Sequence, residues 1–253
     1  EDTTRALGDM AAYLRTSANI PFVAITGSNG KTSTKELVAT VLARKYKVLA
    51  TPGNFNNEIG MPLTLLGLRT EHEAAVLELG MNRPGEMDRL GAICRPEIGI
   101  ITNVAPAHLE GLGSVEGVAA AKAELLSHIR PGGTAVLNGD DAYGAWLASH
   151  TEKSVIFFGT SELAQVRASN IRISLEGASF DLILPDARVS VRMPVCWEFM
   201  IKNALAAAAT GWILGLGPEQ IAAGLARFTP VSGRMAIYRI PAGACIIDDT
   251  YNA

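Results

Sequence analysis

The sequence has 253 residues and a formal net charge of -3, with 48% of residues apolar and 19% charged. That balance suits a globular chain with a substantial core, and the lack of any Lys/Arg block argues against nucleic acid or an anionic membrane surface as a partner. No apolar run reaches the roughly 18 residues of a membrane span, no signal peptide opens the chain, and Cys94, Cys196 and Cys245 stand at unrelated spacings. These features predict a soluble protein of a reducing, cytoplasmic compartment.

Residues 4–16 place Leu7, Met10, Ala11 and Leu14 at helical spacing, which predicts a short amphipathic lead-in helix. Phe22, Val23, Ala24, Ile25 and Thr26 then form an apolar run bounded by turn residues, the pattern of a buried strand. Gly27, Ser28, Asn29 and Gly30 make a tight loop, and beyond Lys31 the residues Leu37, Val38, Val41 and Leu42 recur with helical period. A glycine loop between a strand and a helix aims backbone N–H groups at one spot, and phosphate is its natural occupant. Lys31 is then placed for the terminal phosphates of a nucleotide, and the Thr32 hydroxyl, followed by Ser33, for Mg2+. Ile25 stands where the usual phosphate-loop spacing has a glycine, so the loop is of a shortened type.

Residues 47–50 read as a strand, 51–60 as a polar loop dense in Asn54, Asn56 and Asn57, and 61–68 as a short helix. Residues 74–79 form the next strand, Pro84 and Gly85 open a helix, and 98–102 is again a strand. This alternation predicts a parallel sheet with helices on both faces, whose ligands collect beyond the carboxyl ends of the strands. Glu78, Asn103 and His108 fall at or just past such ends, where they would converge on Thr32 around a shared Mg2+; among these His108 is the odd ligand, because Mg2+ prefers oxygen. A helix follows over 114–128 with Ser114 as its cap, displaying Lys122 and Glu124, then a strand at 134–138, a helix at 140–149 and a last parallel strand at 155–158. Alternating segments at 170–175, 179–184 and 188–193 predict a small antiparallel meander, and helices are expected over 201–214 and 218–226. Glu1 and the run 246–253 read as cuts within a longer chain.

Taken together, the motifs Thr26-Gly-Ser-Asn-Gly-Lys-Thr-Ser33, Gly53-Asn-Phe-Asn-Asn-Glu-Ile-Gly-Met-Pro62, Glu78-Leu-Gly-Met-Asn82, Thr102-Asn-Val-Ala-Pro-Ala-His-Leu-Glu110, Ala121-Lys-Ala-Glu124, Asn203-Ala-Leu-Ala-Ala and Asp248-Asp-Thr-Tyr-Asn-Ala253 resemble those of the Mur ligases. Their order runs along nearly the whole chain. The resemblance implies a P-loop-like central ATPase domain at 21–233, a lead-in helix and linker at 1–20, and the start of a Rossmann-like domain at 234–253. It implies ATP and Mg2+ as cofactors, and a ligase that joins D-alanyl-D-alanine to UDP-N-acetylmuramoyl-tripeptide through an acyl phosphate in peptidoglycan synthesis; a monomer is expected. By motif, Lys31, Lys122 and His108 serve catalysis, and Thr32, Glu78, His108 and a carbamylated Lys122 hold Mg2+. Gly27, Ser28, Asn29, Gly30, Lys31, Thr32, Ser33, Asn103, Asn203, Arg234 and Asp249 line the nucleotide, and Asn54, Asn56 and Asn57 face the muramoyl peptide.

One segment departs from the family pattern. Where the family has Gly-x-His-Asn framing adenine, this chain has Trp197, Glu198, Phe199 and Met200. That replacement leaves open a catalytically silent nucleotide-binding module, and the Gly-Lys-Thr loop by itself also fits a folate-polyglutamating ligase. The 253 residues alone are expected to fold and to form no peptide bond.

Overall fold

The computed structural model describes residues 2–240 and 244–252; Glu1 and Ala253, the latter ending the terminal motif, lie outside these. In chain order the elements are α1 (Thr3–Ser17), β1 (Phe22–Thr26), α2 (Lys31–Leu42), β2 (Val48–Ala50), α3 (Gly60–Leu66), β3 (Ala74–Glu78), α4 (Glu86–Cys94) and β4 (Ile98–Ile101). There follow α5 (Leu109–Leu112), α6 (Val115–Ser127), β5 (Thr134–Asn138), α7 (Gly144–Ser149), β6 (Ser154–Gly159), β7 (Val166–Ser174), β8 (Gly177–Ile183) and β9 (Arg188–Met193). The chain continues through α8 (Glu198–Ile213), α9 (Pro218–Ala226), β10 (Ala236–Arg239) and β11 (Cys245–Asp248) to a 3-10 turn at Thr250–Asn252.

Strands β1 to β9 form one sheet in the order β2-β3-β1-β4-β5-β6-β7-β8-β9. β1 lies between β3 and β4 and pairs parallel with both, and all five of its residues are buried. A strand covered on both faces reads as a continuous apolar run, which is why Phe22–Thr26 shows no polar alternation. Its side chains nonetheless divide by period two. Val23 and Ile25 join the core beneath α2, α8 and α9, whereas Phe22 and Ala24 join the core on the opposite face, with residues of α1, α3, α4 and α6.

The meander is part of the same sheet. β7 starts at Val166, earlier than its alternation suggests, and pairs parallel with β6 through Phe158↔Val166 before β8 and β9 add on antiparallel. The sequence pattern ends the parallel strands at Phe158; the sheet carries them one strand further. Ala178, Phe180, Leu182, Val191 and Met193 point to the α8 side and extend that core, so the alternating pattern reflects a sheet edge with one wet face.

The helix expected over 140–149 starts only at Gly144. Asp140 and Asp141 are occupied elsewhere: the Asp140 carboxylate accepts from Thr160 N, Thr160 Oγ1 and Ser161 N, and Asp141 accepts from Tyr143 N and Val104 N. Acidic side chains that bond backbone amides favour turns over helix interiors. At the amino ends of the strands, Arg15 of α1 donates to Cys94 O at 2.7 Å and to the Glu97 carboxylate at 2.9 Å. Glu97 in turn accepts from Phe22 N at 2.7 Å. The lead-in helix is thus latched to the start of the central strand, away from the loop at its other end.

Candidate functional site

The loop 27–30 leaves the carboxyl end of β1 and opens α2 with Gly30 as N-cap in the left-handed region, φ 78°. Gly27 is also at positive φ, and a Cβ there would stand 1.8 Å from Thr102 Oγ1, so only glycine fits. The loop is tied to the end of β4. Ser28 N donates to Asn103 O at 3.0 Å, Asn29 N to Asn103 Oδ1 at 2.9 Å, and Thr102 Oγ1 to Asn29 O at 2.6 Å. Ser28 Oγ exchanges hydrogen bonds with Ala105 O and Ala105 N. Asn103 is therefore a brace of the loop through both its side chain and its carbonyl.

Lys31 Nζ curls back to Gly27 O at 2.8 Å and Ser28 O at 3.3 Å. Burial lowers its pKa; Glu78 works against that shift and Arg234 adds to it, so both charges lie within reach of the amine. Glu78, at the end of β3 and 1% exposed, accepts from Asn56 Nδ2 at 2.8 Å through Oε1. Among the described residues its Oε2 has no hydrogen-bond partner, and neither has Oγ1 of the buried Thr32. Buried oxygens without partners are costly. A carboxylate oxygen and a hydroxyl oxygen in this state are each the kind of donor that a hard divalent cation takes up, and the hydroxyls of Thr26 and Thr34 share that state.

Lys122 lies on α6, 2% exposed, and no hydrogen bond or ion pair reaches its amine among the described residues. Burial, with the charge of Lys31 as a second cause, brings its pKa down to about 7. His108 sits at φ 54° at the start of α5 and is exposed. Partial burial lowers its pKa first, and then the charges of Lys31 and Lys122. These mutual influences bring Lys31, Lys122 and His108 into one neighbourhood, although the described residues contain no cluster of three or more His, Cys, Asp or Glu suited to a metal.

The remaining residues divide. Asn203 on α8 backs the loop, since a Cβ on Gly30 would meet its Oδ1 at 2.7 Å. The Arg234 guanidinium lies over the Tyr251 ring, and exposed Asp249 accepts from Met235 N at 3.1 Å. Asn54 donates to the Tyr251 hydroxyl, and Asn57 Oδ1 accepts from Ile59 N and Gly60 N at the start of α3, a capping task. Trp197 Nε1 donates to Met235 O at 3.1 Å. Its indole borders a cleft of about 200 Å³ with Met200, Arg234, Met235 and Ile237, while Phe199 turns outward, 47% exposed.

Sequence reasoning missed three members of this neighbourhood. Lys35 Nζ, fully buried, donates to Thr51 O and Gly53 O; Thr51 Oγ1 accepts from Glu78 N; and Tyr251 connects Asn54 with Arg234. The available signal was a lysine one turn after Lys31, on the same face of a helix that is otherwise buried.

A strand, a glycine loop and a helix opening on Lys31 and Thr32, at the carboxyl edge of a parallel sheet, define a P-loop-like α/β domain. The model of the Mur ligase middle domain matches residues 25–211, and the chain belongs to the Mur ligase family. It is 38% identical over its whole length to the UDP-N-acetylmuramoyl-tripeptide–D-alanyl-D-alanine ligase of Haemophilus influenzae, of which it spans 56%, and 39% identical to that of Escherichia coli, again 56%. Among solved structures, MurF from Acinetobacter baumannii superposes with a TM-score of 0.95 at 38% identity, covering all of this chain and 55% of that one. The MurF ligase of Thermotoga maritima, in complex with ADP, superposes at 0.90 with 30% identity, covering all of this chain and 58% of that one. The chain thus spans about half the length of the curated relatives it matches.

Proposed function

We propose that the chain is the central domain of an ATP-dependent ligase that joins D-alanyl-D-alanine to UDP-N-acetylmuramoyl-tripeptide through an acyl phosphate, in the cytoplasm and as a monomer. The observation that carries this reading is that two buried oxygens, Glu78 Oε2 within reach of Lys31 and Thr32 Oγ1 beside Lys31 at the glycine loop, have no partner among the described residues. The names of the full-length relatives supply the substrates, and the Thermotoga complex supports an adenine nucleotide. No helix among the described residues is long and apolar enough to cross a membrane. Among the described residues β10 pairs with β11 and not with the large sheet, which supports reading 234–253 as the start of another domain.

Thr32, Glu78, His108 and Lys122 would hold Mg2+, and Gly27 to Ser33, Asn103, Asn203, Arg234 and Asp249 would receive ATP. Bound there, the metal and nucleotide supply positive charge and a transferable phosphoryl group. Lys31 contributes a cation whose low-polarity surroundings strengthen its pull on phosphate oxygens. Lys122 contributes a neutral amine near pH 7 that adds to CO2, releasing a proton and becoming a carbamate anion. Asn54, Asn56 and Asn57 lie on the loop assigned to the peptide, and Asn56 links that loop to Glu78. By themselves these residues bind rather than ligate.

The test is Lys31→Ala in the full-length product of the gene. With ATP, uridine-linked tripeptide and D-alanyl-D-alanine, wild type releases phosphate and forms pentapeptide. The variant is expected to lose at least about a hundredfold in turnover with an unchanged circular-dichroism spectrum. Turnover near that of wild type refutes the assignment.

A further inference from the structure

The asparagine loop between β2 and α3 is fixed at three points. Lys35 holds the carbonyls of Thr51 and Gly53 at 2.7 and 3.1 Å, and Asn56 grips Glu78. The third point reaches far along the chain: Asn54 Nδ2 donates to the Tyr251 hydroxyl at 2.6 Å. The Tyr251 ring carries the Arg234 guanidinium 3.7 Å from its centroid, and Tyr251 N donates to Gly233 O at 3.0 Å. Gly233 is at φ 75°, and a Cβ on it would stand 3.3 Å from Tyr251 Cβ, so glycine allows this close stacking.

We propose that Tyr251 is a positioning residue that couples the peptide-facing loop to the nucleotide-facing arginine, an inference that rests on the function proposed above. Its ring sets the plane of Arg234, because a guanidinium stacked on an aromatic face is held in one orientation. Its hydroxyl takes its own place from Asn54. Whatever orders Asn54 therefore orders Arg234, and substrate on the loop tightens the hold on nucleotide.

The experiment uses the full-length product with Mg2+·ATP as the probe, measured by titration calorimetry. Tyr251→Phe keeps the ring and removes the hydrogen bond, and Asn54→Ala removes the same bond from the other side. Each is expected to weaken ATP binding about threefold to tenfold, the range of one hydrogen bond. The double variant should bind no worse than either single one, and neither change should matter in an Arg234→Ala background. Additive losses, or losses that persist without Arg234, overturn the proposal. A second measurement needs no nucleotide: the Arg234 Hδ resonances should be displaced upfield by the Tyr251 ring in wild type and should relax in Asn54→Ala. If they stay in place, Asn54 does not hold the ring and the coupling is refuted. If the resonances relax in Asn54→Ala but the wild type binds no ATP, the nucleotide reading fails and the coupling of loop to nucleotide fails with it, while the hold of Asn54 on the ring stands.

Discussion

Replacing Lys122 by methionine should make the folded protein more stable while removing the ligase activity proposed above. The amine is 2% exposed, reached by no described partner, and brought from the ordinary 10.5 to about 7 by burial and by Lys31. At about 1.4 kcal/mol per pH unit, that difference corresponds to a folding penalty on the order of 5 kcal/mol for the charged form. The folded chain releases this proton near pH 7, whereas the unfolded chain keeps it up to about 10.5. Between those values the unfolded state binds more protons, so wild-type stability rises with pH across that window. Below about 7 both states are protonated and the whole penalty is present; above about 10.5 it is absent. Methionine has a similar reach and no charge, so it carries no such penalty. Urea unfolding of wild type and Lys122→Met in CO2-free buffer should therefore show the variant ahead by several kcal/mol at pH 6, and by less than half of that at pH 9. A variant less stable than wild type at pH 6, or a difference that does not change with pH, would refute the reasoning. Under the proposed function, the variant should be inactive in the full-length ligase assay, and short carboxylic acids should partly restore Lys122→Ala by standing in for the proposed carbamate.

Gly27→Ala should cost about 2–5 kcal/mol, from a positive φ and from the overlap of its Cβ with Thr102 Oγ1. Thermal unfolding measures the loss, and adding Thr102→Ala should recover the part due to overlap but leave the backbone strain. Trp197→Gly combined with Phe199→His should tighten ATP binding measured by calorimetry, because the indole borders the cleft beside Arg234. Equal or weaker binding would remove that segment from the nucleotide site.

The elements nearest the candidate site were legible because their sequence signals are local. β1 is an unbroken apolar run, Gly27 and Gly30 punctuate it, and Ser114 caps α6 through Gly117 N, as its position before an apolar run suggests. The order of motifs also carried the family. What the sequence could not decide were matters of long-range pairing. Asp140 and Asp141 look like the start of a helix until Thr160, Ser161 and Val104 claim their carboxylates. β7 looks like part of a separate meander until Phe158 supplies its parallel neighbour. Asn54, Asn56 and Asn57 look alike in sequence, yet their side chains reach Tyr251, Glu78 and the amides of Ile59 and Gly60 respectively. By itself, the sequence determined which segments are strand, loop or helix around β1, since backbone conformation and burial period are written in neighbouring residues. Only the tertiary structure decided which polar side chains brace the loop and which are left without partners. That outcome depends on groups tens to hundreds of residues away arriving within 3 Å, and no local pattern encodes their arrival.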